Sequence, residues 1–240
     1  MFNSNINNIY ILISTAASVG IIHTILGPDH YLPFISLSIS EKWSLRKTVL
    51  VTILSGLGHT LMSVLIGSAG FFIGASVQSI ESIDAVRGDI AAWLLISFGF
   101  LYLIWGLKKS FTGTVHLHSH VHPDGTIHSH NHHHNETIHK HVHIKNKNKI
   151  SPWVLFIFFV LGPCEALIPL IAYPAIHHNY TAVIIISLVF SLATISIMLL
   201  LVFLGYKGIQ KLPFQKYEKY SHAIAGLIIF LAGLGIIMGL

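Results

Sequence analysis

Six side chains able to bind a cation sit where an otherwise apolar chain leaves them little water. His23, Asp29 and His30 flank Gly27-Pro28 in the run His23-Thr24-Ile25-Leu26-Gly27-Pro28-Asp29-His30. His59 lies in Ser55-Gly56-Leu57-Gly58-His59-Thr60, and Cys164 and Glu165 follow Gly162-Pro163. An ionisable group at bilayer depth costs several kcal/mol unless it is paired, hydrated or liganded, so it reads as functional. On a straight helix His23 and His30 would share a face but stand about 10 Å apart along the axis. That is too far for one ion held at metal–nitrogen distances of about 2 Å. A break at Gly27-Pro28 removes the limit. Glycine leaves the helical region without steric penalty, and proline suits the first position of a new half-helix. Asp29 and His30 then occupy a first turn whose positive dipole end favours an ionised carboxylate. Imidazoles with a carboxylate suit nickel, cobalt or zinc, whereas an all-oxygen set would suggest magnesium or calcium.

The elements that must position these residues are transmembrane helices. The chain is 53% hydrophobic and only 10% charged, with mean hydropathy +0.70, more apolar than one soluble core can hide. Segments long enough for about 30 Å of hydrocarbon run over Ile9–Ile39, Val49–Ile73, Ile90–Leu107, Trp153–Ala175, Ala182–Leu204 and Ala223–Leu240. The first breaks at Gly27-Pro28 and the fourth at Gly162-Pro163. Leu26-Gly27-Pro28-Asp29-His30 and Leu161-Gly162-Pro163-Cys164-Glu165 read as copies, continued by Pro33-Phe34-Ile35 and Pro169-Leu170-Ile171. The expected fold is therefore an all-α polytopic membrane protein of six helices. Residues 1–107 and 152–240 are two three-helix units in inverted repeat, and 108–151 is a loop between them. Broken helices in corresponding halves point to a midplane binding site.

Charge sets the expected orientation. The connections after spans one, three and five carry 13 of the 14 basic residues, among them Lys42, Lys108 and Lys207. Those connections belong in the cytoplasm and both termini outside. Glu81, Asp84, Arg87 and Asp89 fall in an outside connection. The segment Met1–Asn8 lacks positive charge, so the first span reads as retained and not as a cleaved signal.

Twelve of the 18 histidines lie between 116 and 143. His116, His118, His120 and His122 alternate, Pro123-Asp124-Gly125 follows, and His128, His130, His132 and His134 alternate again. His133, His139, His141 and His143 complete the set. Alternation puts each run on one face of an extended chain, and ions could draw the runs together across the turn. The segment has few large apolar residues and is expected to lack persistent structure without a ligand. Imidazole is mostly neutral and able to ligate at cytoplasmic pH. The loop is expected to collect metal.

The His23–His30 stretch resembles the signature of nickel/cobalt transporters, and Leu57-Gly58-His59-Thr60 resembles their second-helix motif. With the histidine-rich loop and six-helix size, the chain looks most like the efflux branch and the urease-associated membrane proteins. Five residues separate His23 from Asp29 instead of four, and Cys164-Glu165 departs from the permeases' later motif. The resemblance implies secondary transport of Ni²⁺ or Co²⁺, with Zn²⁺ also suited, on His23, Asp29, His30, His59, Glu165 and Cys164. The loop favours export over uptake. Partners would be metal ions, the lipid bilayer and an accessory protein of a nickel enzyme, with no nucleic acid. No ATP-binding signature is present, and no enzymatic activity is expected. The alternatives are a membrane-anchored metal-binding accessory protein and a thiol-disulfide electron carrier. The carrier needs two exchanging thiols, and Cys164 is the chain's single cysteine.

Overall fold

The computed structural model describes residues 2–111, 116–121, 127–132, 152–162, 164, 166–211 and 218–239. Eight α-helices carry the described chain: α1 (Phe2–Leu26), α2 (Leu32–Ser40), α3 (Leu45–Phe72), α4 (Val77–Phe111), α5 (Trp153–Leu161), α6 (Leu167–Ile176), α7 (Tyr180–Gln210) and α8 (Ser221–Ile237). A 3-10 turn, Pro28–His30, joins α1 to α2. The Ser44 hydroxyl accepts from the Lys47 amide to start α3, and the Asn179 side chain accepts from the Ala182 amide to start α7, each satisfying a donor the helix start leaves over.

Four helices, α3, α4, α7 and α8 with its leading residues from Glu218, are long and apolar enough to cross a membrane. The pair Tyr10–Leu26 and Pro28–Ser40 makes a fifth span if its two limbs count as one, bent by 84°. The protein is a multi-pass membrane protein in a lipid bilayer, with four to five spans by length and composition. The expected fourth span, Trp153–Ala175, is divided at Gly162 into α5 and α6. Nine residues of α5 rise only about 14 Å, under half of the roughly 30 Å of hydrocarbon.

The membrane bundle is all-helical, as expected, and β1 (His116–Val121) and β2 (Ile127–His132) pair antiparallel within the histidine-rich segment. One expectation is corrected here: α4 begins at Val77 and not near Ile90, which draws two charges out of the expected connection and into the bundle. Asp84 is fully buried and Arg87 8% exposed. Their side chains lie 2.6 Å apart, and Arg87 Nη2 donates to Ser63 Oγ of α3 at 2.7 Å. An i,i+3 pair faces one way on a helix, and it is this pairing that lets a lysine-free, two-sign stretch continue the helix.

The closest helix packing joins α4 to α8. A Cβ at Gly99 would lie 2.4 Å from the Phe230 amide nitrogen, and one at Gly226 would lie 2.3 Å from that of Leu103. Small residues are what admit backbones this close where lipid offers no hydrophobic drive. One end of this pair carries a polar relay. Lys109 Nζ lies 2.8 Å from His222 Nε2, His222 Nδ1 lies 2.7 Å from the Tyr102 hydroxyl, and that hydroxyl donates to Glu41 Oε1 at 2.8 Å. It ties the end of α2 to α4 and α8.

Gly226→Leu should lower the unfolding midpoint in detergent, with a cost of about 1–3 kcal/mol or more from overpacking. Gly208→Ala, whose Cβ meets nothing within 4 Å, should leave the midpoint unchanged. Breaking the buried ion pair with Asp84→Asn should destabilise by about 3–5 kcal/mol. The double variant Asp84→Leu/Arg87→Met should recover most of that loss in the same thermal measurement.

Candidate metal centre

Helix α1 stops because Pro28 cannot continue its ladder. The Gly27 amide makes the last bond, to the His23 carbonyl at 2.9 Å. Gly27 itself sits at φ −87°, ψ 92°, which any residue adopts, so conformational freedom is not why glycine stands here. Space is the reason: a Cβ would lie 2.6 Å from His30 Nδ1 and 2.9 Å from Asp29 Oδ1. The 3-10 turn after it folds His30 back beneath His23, with ring centroids 4.7 Å apart and planes at 81°. From α3, His59 meets His30 at 5.3 Å with planes perpendicular. Gly58 and Gly56 bring α3 close enough, since a Cβ would meet Val160 of α5 at 2.5 Å and Ile195 of α7 at 2.9 Å.

One ligand atom from each of His23, His30 and His59 lies within 4.8 Å of the others. His30 and His59 are buried and His23 is half-buried. The Nε2 atoms of all three are enclosed without a hydrogen-bond partner. The opposite nitrogens are engaged where they are buried deepest. His30 Nδ1 lies 3.2 Å from the Gly27 carbonyl and 3.1 Å from Asp29 Oδ1, and His59 Nδ1 lies 3.2 Å from the Phe159 carbonyl. A carbonyl or carboxylate can only accept, so in their neutral form both rings carry the proton on Nδ1 and turn the Nε2 lone pair inward. Metal-binding histidines are oriented in the same manner by such outer partners.

Both helix breaks therefore contribute. The first supplies the Gly27 carbonyl and Asp29. The second supplies the Phe159 carbonyl, left over as α5 ends at Gly162, where it also accepts from the Gly162 amide at 3.1 Å. Phe159 and Phe190 wall the cluster at 5.9–6.4 Å between ring centroids. A cavity of about 20 Å³ borders Asp29 and His59, room for roughly one water.

The site differs from the ligand set expected of the sequence. Asp29 stands behind His30 as its hydrogen-bond partner, and its carboxylate is not among the converging atoms. Cys164 is fully buried in an apolar cluster with Ala16, Leu167, Ile171 and Phe190, apart from the histidine group. Pro163 and Glu165 lie outside the described residues, as do His122, His133, His134, His139, His141 and His143. Residues His116, His118, His120, His128, His130 and His132 stand in β1 and β2. The Phe159 carbonyl was not anticipated, though Pro163, four residues on and without an N–H, is a sequence signal that this carbonyl is left over. The Asp84–Arg87 pair carried a signal as well, through its i,i+3 spacing.

Residues 33–235 match the family described as cytochrome C biogenesis protein transmembrane region. No curated protein and no solved structure matches. The match overturns the resemblance to nickel/cobalt transporters, and with it the assignment of nickel or cobalt transport. Short motifs around His23–His30 and His59 suggested that kinship, whereas the match spans most of the chain. It begins at Pro33, after His23, Asp29 and His30, and so includes only His59 of the cluster. The chain belongs to the cytochrome c biogenesis protein transmembrane region family.

Proposed function

We propose that this protein is a membrane-embedded, metal-binding accessory protein of the cytochrome c biogenesis type. It holds one late first-row divalent ion, nickel, cobalt or zinc, on His23, His30 and His59. The observation that carries the reading is the convergence of three enclosed Nε2 atoms whose rings are pinned from behind. Three imidazoles around one tetrahedral ion stand about 3.4 Å apart, given metal–nitrogen bonds near 2.0–2.1 Å. The present spacing, within 4.8 Å, closes to that by small ring rotations. Three protein ligands leave one position open, the pattern of exchange-competent sites as against closed four-ligand structural ones. The adjacent cavity provides for a water or an incoming ligand there. Asp29 balances part of the cation's charge through His30.

The accessory reading includes no enzymatic step. Its orientation follows the basic residues, with the β1–β2 segment in the cytoplasm and both termini outside. Its two halves form an inverted repeat, which the exchange of packing partners supports: α1 packs on α7 as α5 packs on α3, and α2 packs on α8 as α6 packs on α4.

The family favours a second reading, thiol-disulfide transfer. That chemistry needs two exchanging thiols, and this chain has Cys164 alone, enclosed among apolar side chains. A partner protein would have to bring the other thiol to it. The two readings separate by substitution. In purified protein lacking residues 114–146, one zinc or nickel ion per chain should be bound by elemental analysis. His23→Ala, His30→Ala and His59→Ala should each weaken binding at least 100-fold, and Asp29→Asn by about 10–100-fold through the loss of His30's partner. Cys164→Ser should bind as the wild type does. In cells lacking the native gene, haem-stained c-type cytochromes should fall with the histidine variants and persist with Cys164→Ser. Loss with Cys164→Ser alone would establish the thiol reading and overturn the metal one.

A further inference from the structure

The paired strands place histidines in a register that alternation within each run does not determine. Directly opposed residues are His116 and His132, His118 and His130, and His120 and His128. Between them lie Leu117 with Asn131, Ser119 with Ser129, and Val121 with Ile127. Histidine thus faces histidine at every second rung and never stands opposite another residue type. A slip of one residue in either direction would set His118, His120, His128 and His130 opposite other residue types and divide the six positions between the two faces. In the observed register all six share one face. The members of a pair have Cα atoms about 4.5–5.5 Å apart, and successive histidine pairs are about 6.8 Å apart along the strands.

We propose that this hairpin is a second transition-metal site, separate from the bundle centre, in which two neighbouring cross-strand pairs form one four-imidazole ligand set. Four imidazoles are the number a closed tetrahedral site takes, and neutral imidazole selects zinc, nickel or copper over magnesium and calcium. The central pair, His118 and His130, belongs to both available sets: with His116 and His132 on one side, or with His120 and His128 on the other. The outer pairs, about 14 Å apart, cannot share an ion. A lone two-stranded hairpin is marginal in water. Only one of the three intervening rungs, Val121 with Ile127, is apolar on both strands, so ion binding is what closes the pairing.

The test uses the full-length protein in detergent with zinc, quantified against a competing chelator. His118→Ala/His130→Ala should lose one high-affinity zinc relative to the wild type. His116→Ala/His132→Ala should lose none, since His118, His120, His128 and His130 remain. Equal losses from the two double variants, or no loss from the central one, would overturn the cross-strand ligand set. Spin labels at Ser119→Cys and Ser129→Cys, with Cys164→Ser, report the strand pairing directly. Their dipolar broadening should appear with zinc, vanish with chelator and be absent after His118→Ala/His130→Ala. Broadening that ignores zinc would show that the metal does not close the hairpin.

Discussion

Everything at the centre of this bundle depends on where the second nitrogen of each imidazole goes. An unpaired buried polar atom costs about 1–3 kcal/mol, and three Nε2 atoms are enclosed together here. His30 and His59 cannot relieve the cost by turning, because each Nδ1 is held by an oxygen that only accepts. The arrangement therefore carries a standing electrostatic demand for a cation or a hydrogen-bonded water at one point. The same hydrogen bonds that create the demand prepare the rings to meet it.

The oxygens that hold the rings exist because two helices stop. A continuous α1 would bond the Gly27 carbonyl within its own ladder and keep His30 two turns away from His23. The Phe159 carbonyl is freed because residue 163, whose amide a continuing helix would direct at it, is a proline without an N–H. Interrupted helices at bilayer depth are tolerated only where protein or a cavity satisfies the freed groups. Here the freed carbonyls take imidazole protons, so the cost of each break is offset by the orientation of a ring. The interhelical glycines serve the same end by distance: Gly56 and Gly58 let α5 and α7 approach His59, and Gly99 and Gly226 lock α4 on α8.

Much of this centre was legible from residue type and spacing. A histidine before Gly-Pro and Asp-His after it implies that the two imidazoles can meet only across a break, and His23 and His30 do meet there. The break was read correctly and its glycine wrongly, since steric room and not backbone freedom is what Gly27 supplies. Asp29 looked like a ligand because carboxylates often are; only the folded turn reveals that its oxygen is nearer the back of His30. The extent of α4 was misread because Asp84 and Arg87 look like loop charges until each is seen to neutralise the other. Hydropathy reads Trp153–Ala175 as one broken span, whereas α5 and α6 are each only about half a span long. Kinship was the least legible layer: two short motifs pointed to one family, while the long apolar stretches that define another have little residue-level signature. The family match leaves His23, Asp29 and His30 outside its limits, so fold kinship and site chemistry have to be argued apart.

The central claim concerns three imidazole nitrogens around one ion, and X-ray absorption reads that shell directly. The sample is protein lacking residues 114–146, loaded with one equivalent of zinc. The account predicts first-shell nitrogen scatterers at about 2.0–2.1 Å and outer-shell imidazole scattering that fits three rings, with no sulfur. A sulfur shell near 2.3 Å, which would place Cys164 on the ion, or an oxygen-only shell without imidazole scattering, would contradict it.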